Sequence, residues 1–239
     1  MNKDRKIAII VGVLYIIGTI TGILSVIFTN SILNSPDFLA KITTNENSIT
    51  IGALFILAMG FSLALIPALM FPILKKYNEV LAIGYIIFRG ALETVIYIIS
   101  AISMLLLVPL SQEFSKAGTS GVSYFQTLGA LLKGVVDLPI LVFVFSLGAL
   151  IFYTLLFQSK LIPRWLSVWG LVAITLHLAT GFLTIFGSQT AFDTSNMVMN
   201  SQIFLQEMVM AVWLIVKGFN PSAIAYPSNK VSVGKEDRE

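Results

Sequence analysis

The chain has 239 residues, of which 56% are hydrophobic and 11% charged. Soluble domains carry about 25% charged residues, so this composition excludes a water-soluble fold of this size and makes the bilayer the expected solvent. The absence of cysteine removes disulfides, thiolate catalysis and cysteine-based metal sites. The net charge of +3 does not point to nucleic acid, because the basic residues are not gathered into one patch.

A helix needs about 20 apolar residues to cross the hydrocarbon core, and six stretches supply them. The first is 7–29. It follows NKDRK, as a signal peptide would, but its apolar run is long and no small-residue cleavage site follows. It is therefore expected to persist as an uncleaved helix. The second is 49–73, after the loop SILNSPDFLAKITTNENS. The third, 80–108, contains FRGALETV, with Arg89 and Glu93 four residues apart. A second loop, SQEFSKAGTSGVSY, leads to the fourth stretch, 126–157, which carries Lys133 and Asp137. The fifth, 165–187, holds the single histidine, His177. The sixth, 199–218, is the shortest and most polar and holds Glu207. Alternation with period two, the mark of a transmembrane β-barrel, is absent, and helices satisfy their backbone internally in lipid. Pro67, Pro72 and Pro139 mark expected kinks. Gly18 and Gly22 form a GxxxG packing motif, and Trp165 and Trp169 are expected interfacial anchors.

The expected fold is all-α, a polytopic six-transmembrane-helix bundle over 1–218 with a polar tail, 219–239, expected to be disordered. With the N-terminus inside, Lys3, Arg5, Lys6, Lys75, Lys76, Lys160, Arg164, Lys217, Lys230, Lys235 and Arg238 are inside, and only Lys41 and Lys116 are outside. That asymmetry places both termini in the cytoplasm of a cell-membrane protein. The two halves show no convincing internal repeat.

The in-membrane charges are the site-forming signal. Each costs at least about 2.5–3.5 kcal/mol at mid-membrane on insertion scales, so each is expected to face the protein interior and find a partner. From the inner edge, a rise of about 1.5 Å per residue puts Arg89 at about 14 Å, Glu93 at about 20 Å, Lys133 at about 21 Å and Asp137 at about 15 Å. Those heights match Arg89 with Asp137 and Glu93 with Lys133, a neutral four-charge box between antiparallel neighbours. His177 and Glu207 both fall at about 18 Å, which allows them to pair. Tyr85, Arg89, Glu93 and Tyr97 form an i+4 stripe on the third helix. Gly170, Ala173, His177, Gly181 and Thr184 form a small-residue face on the fifth. The expected ligand-binding set is Arg89, Glu93, Tyr97, Lys133, Asp137, His177 and Glu207.

One histidine and no cysteine leave little for a zinc site, and no HExxH, P-loop or dinucleotide glycine motif occurs. Ser62, Ser100 and Ser146 lack a nucleophile-type glycine–serine motif, and no periodic arginine ladder is present. No metal site is expected, and no cofactor follows from the residues. Together with the RxxxE of the third helix and the DLP at 137–139, the segments KLIPRWLSVWGL (160–171) and QEMVMAVWLIVKGFNP (206–221) resemble a bacterial family of multi-pass membrane proteins catalogued as a domain of unknown function. The resemblance implies a six-helix integral membrane protein and carries no activity, substrate or catalytic residue with it. Three functional readings follow from the charges: binding or transport of a small ligand, ion or proton; an intramembrane enzyme acting on lipid with His177 as base; and a structural or regulatory membrane partner whose charges lock the fold. The expected partners are the lipid bilayer and a small-molecule or ion ligand.

Overall fold

The structure is a computed structural model that describes residues 2–117, 121–136, 140–187 and 194–225. Among these residues there are helices and connecting turns and no strand. In chain order the helices are α1 (Lys3–Leu33), α2 (Phe38–Thr44), α3 (Glu46–Leu74), α4 (Glu79–Tyr85), a π-helical segment (Ile86–Leu92), α5 (Glu93–Ala117), α6 (Val122–Val136), α7 (Ile140–Ser159), α8 (Arg164–Ile185) and α9 (Thr194–Val216). Six stretches are long and apolar enough to cross a membrane: Lys3–Leu33, Glu46–Leu74, Glu79–Ala117, Val122–Ser159, Arg164–Ile185 and Val198–Val216. They coincide with the six read from hydropathy. Many of their large apolar side chains are exposed, among them Ile27, Leu54, Phe61, Leu106 and Val172, as a protein dissolved in hydrocarbon requires.

Two connections differ from expectation. The first loop contains α2, which forms because Leu39 and Ile42 are buried. The second is mostly helical, since α5 runs on to Ala117 and α6 starts at Val122. Asp137 and Pro139, on which part of the charge box and one kink were built, lie outside the described residues, as do residues 226–239 of the expected disordered tail.

The chain divides into two compact units. One takes the described residues of Ile17–Ser62 and Thr94–Leu138. Its helices approach closely at glycines. A Cβ on Gly52 would stand 2.2 Å from the Thr29 methyl, and one on Gly22 2.7 Å from Met59 Sδ. Small residues at such crossings let helices pack without a hydrophobic driving force. Hydroxyl-to-carbonyl bonds add to this: Ser25 Oγ donates to Gly52 O at 2.9 Å, Ser103 Oγ to Leu132 O at 2.8 Å, and Thr43 Oγ1 to Ser111 O at 3.0 Å.

The other unit takes the described residues of Met1–Ile16, Leu63–Glu93 and Pro139–Glu239. Its core joins Ala8, Val11, Tyr15, Met70, Tyr85, Phe152, Leu155, Ala173 and Met210. Within it, four segments expected on one membrane side come together. Arg5 donates to the carbonyls of Leu214 and Ile215 at 2.9 and 2.6 Å and of Val216 at 3.0 Å, satisfying the C-terminal acceptors of α9. The Tyr77 hydroxyl donates to Ala223 O, and the Asn220 N–H to Leu161 O at 2.8 Å. The packed region therefore continues past 218, with Phe219 and Ala223 buried.

Candidate functional site

The site begins with a local irregularity. Over Ile86–Leu92 the helix closes on i→i+5 bonds, and the Glu93 N–H reaches Phe88 O. Such segments are rare and concentrate at functional positions. Residues four apart overshoot a full turn in an α-helix of 3.6 residues per turn and fall short of one in the wider π-turn. The Tyr85–Tyr97 stripe expected from strict i+4 spacing is thus re-phased at its centre. Gly90 sits in the widened turn, where a Cβ would meet the Pro67 ring at 3.3 Å.

Arg89 and Glu93 are both buried, at 2% and 0% exposure. Arg89 Nη1 donates to both carboxylate oxygens of Glu93 at 2.9 Å, and Nη2 donates to Glu207 Oε1 on α9 at 3.3 Å. The guanidinium also lies over the Phe145 ring, 4.4 Å from its centroid, a cation–π contact strengthened by desolvation. Gly148, one turn along α7, makes room for the arginine stem, since a Cβ there would stand 2.5 Å from Arg89 Cγ. Three elements therefore fix one cation: the π-segment supplies it, α7 covers it and α9 brings the second carboxylate. The Glu207 side chain is 15% exposed, against 2% and 1% for its partners.

A polar aromatic shell surrounds the ions. The hydroxyls of Tyr15, Tyr85 and Tyr153 are buried within electrostatic reach of both Arg89 and Glu207. Tyr153 donates to Gln206 Oε1, and Gln206 Nε2 donates to Leu166 O at 3.1 Å. Gly170 admits the Tyr153 ring, 2.4 Å from where its Cβ would be. Tyr85 stacks on Phe152 at 4.5 Å, and its buried hydroxyl lies beside that of Tyr15.

The sequence-derived set is only partly assembled here. Arg89, Glu93 and Glu207 meet. His177 does not pair with Glu207. Its Nδ1 shares a 2.8 Å hydrogen bond with Asn200 Oδ1, which also accepts from Thr180 Oγ1 at 3.1 Å. Asn200 lies about two turns before Glu207 on α9, so a match in depth to within a turn or two did not identify the partner. His177 still borders the site, packing edge-on against Phe145 at 5.0 Å, the ring that carries Arg89. Tyr97 is buried in α5 and packs on Gly60, and Lys133 is half-buried in α6, both in the other unit. Tyr15, Phe145, Gly148, Tyr153, Asn200 and Gln206 escaped the sequence reading. Gln206 and Asn200 could have been found as polar residues inside the least apolar span. The aromatics could not, among 17 phenylalanines and 7 tyrosines.

With both carboxylates ionised the trio carries −1, and with one proton or monovalent cation added it is neutral. Among the described residues no group of three or more His, Asp or Glu side chains is arranged to hold a metal ion. Six helices long and apolar enough to cross a membrane point to a multi-pass membrane protein, one with an arginine buried between two glutamates. The chain belongs to the family described as domain of unknown function DUF4386, whose model matches residues 10–218. That span holds all three ionic residues, in agreement with the resemblance drawn from the IPRWLS and WLIVKGF segments. No curated protein and no solved structure matches the chain.

Proposed function

We propose that this is a multi-pass protein of the cell membrane, with both termini cytoplasmic, that binds and passes a proton or small monovalent cation at Glu207. One observation carries the reading: two carboxylates share a single buried guanidinium, and the carboxylate left with one long bond is the accessible one. Glu93 takes the two short bonds of Arg89, so Glu207 is the member that can release its hold and take up a cation without leaving the arginine unpaired. The buried hydroxyls of Tyr15, Tyr85 and Tyr153 offer further oxygens. A purely structural lock is less well supported, because the ion pair with the short bonds, Arg89–Glu93, lies within one span, whereas the pair that joins two helices, Arg89–Glu207, is the longer one. A lipid-acting enzyme with His177 as base is less well supported too, because among the described residues the His177 ring bonds Asn200 and no hydroxyl nucleophile.

The test is flux into liposomes containing the purified protein, driven by a potassium diffusion potential and read with an internal pH dye, then repeated with sodium. Wild type is expected to carry one of the two ions, and Glu207→Gln to lose it while eluting as a folded species. Flux no greater than in protein-free liposomes, or an unaltered rate in Glu207→Gln, overturns the reading. A reporter fused after Glu239 tests orientation and is expected to read cytoplasmic.

A further inference from the structure

The two sequence segments KLIPR and WLIVKGFNP meet in space and enclose a cavity of about 510 Å³, lined by Lys160–Arg164, Trp213 and Lys217–Pro221. Its charged lining residues are three cations, Lys160, Arg164 and Lys217, with no carboxylate among them. None of the three is in a salt bridge among the described residues. Among the described residues, the Arg164 guanidinium has the Phe157 ring as its side-chain partner, at 5.2 Å. The N-terminus of α8 opens on the same space. Its N-cap is Pro163, which supplies no side-chain cap; the Leu166 and Ser167 N–H groups bond Pro163 O, and the positive end of a 22-residue helix lies at the cavity wall that Pro163 and Arg164 form.

Lys160 sharpens the point. It follows α7 with φ +56°, the one non-glycine positive φ among the described residues. Glycine is the ordinary residue at such a helix end, and a lysine there is strained. Gly218, on the other wall, has φ +78°. One wall turns with the usual residue and the other with a cation.

Below this basic mouth runs a second recess of about 420 Å³, on the face of α9 made by Met208, Val209, Val212, Trp213, Val216 and Lys217. It shares Trp213 and Lys217 with the first. A cationic cavity at the ends of three spans thus lies beside an apolar groove along one of them. Basic pockets between membrane helices receive anionic headgroups, and only an amphiphile fills both parts.

We infer that this cavity and groove bind one anionic glycerophospholipid, its phosphate held by Lys160, Arg164, Lys217 and the α8 N-terminus, with an acyl chain along Met208–Val216. The site is separate from the Arg89 trio and does not depend on what that trio does.

The experiment is native mass spectrometry of the full chain in detergent, titrated with phosphatidylglycerol, with phosphatidylcholine and with glycerol 3-phosphate. Wild type is expected to bind phosphatidylglycerol about tenfold or more tighter than phosphatidylcholine, with glycerol 3-phosphate weaker than either. Each cation removed, as in Arg164→Gln or Lys217→Gln, is expected to weaken phosphatidylglycerol about fivefold, the effect of one basic residue near an anionic surface. Lys160→Gly separates binding from folding, because glycine relieves the positive φ: the melting temperature should hold or rise while affinity falls. The proposal is overturned by equal binding of the two lipids, by a preference that survives in Lys160→Gly/Arg164→Gln/Lys217→Gln, or by glycerol 3-phosphate binding as tightly as the lipid, which would identify a soluble ligand.

Discussion

In the unit built from Ile17–Ser62 and Thr94–Leu138, the buried polar side chains Ser25, Thr29, Ser103 and Ser111 are hydroxyls that donate to backbone carbonyls. In the other unit the buried polar groups include an arginine and a glutamate, a second glutamate beside them, and a glutamine that bonds both a tyrosine and a carbonyl. The first kind of polarity is inexpensive. A hydroxyl on a helix satisfies itself locally and leaves its lone pairs for a neighbour. The second kind is expensive, since desolvating an ion costs several kcal/mol unless its partners are well placed. Arg89, Glu93 and Glu207 thus lie in one unit, while the other, in which Lys133 is half-buried, packs on the hydroxyls and glycines named above.

Breaking that contrast should have graded effects. Arg89→Met leaves two carboxylates without their cation and is expected to cost roughly 3–5 kcal/mol, read as a shift of the SDS-unfolding midpoint in mixed micelles. Adding Glu93→Gln and Glu207→Gln to the same chain should recover most of the loss. If Arg89→Met alone unfolds at the wild-type midpoint, the ions contribute nothing to the fold. Gly148→Ala comes next. The stem of Arg89 is held at its far end by Glu93, Glu207 and Phe145 and cannot swing clear of a new Cβ, so overpacking of about 1–3 kcal/mol is expected. A neutral result in the same titration would mean that α7 does not cover the arginine so closely. Smallest is Ser103→Ala in the other unit, where the loss of one interhelical hydroxyl bond should cost about 0.6 kcal/mol. An effect as large as that of Arg89→Met would erase the distinction between the units.

The six spans were legible because hydropathy over twenty residues is a property of the chain alone. The ionic trio was partly legible for a related reason. Charge in a hydrocarbon run is rare enough to mark itself, and counting rise per residue put Arg89 and Glu207 in one slab, although it matched Arg89 with Asp137, which lies outside the described residues. Choice of partner was not legible. His177 went to Asn200 because a neutral amide can bond an imidazole as well as a carboxylate can, and counting charges ignores amides. The π-segment left no mark either. A widened turn depends on what α7 and α3 press against it, here Gly148 over Arg89 and Pro67 against Gly90, and neither contact is local in sequence. Lys160 was counted for its charge, whereas its backbone conformation became visible only once α7 had an end.

The i,i+4 pairing of Arg89 with Glu93 has a consequence for biogenesis. The two residues neutralise each other within a single helix, so the third span can leave the insertion machinery with its charges already cancelled, before any later helix exists. Glu207 resides on α9, the least apolar of the six spans, which is made well after the third. The third span therefore carries its arginine with a counter-ion of its own while α9 is still to come, and the excess negative charge arrives with α9.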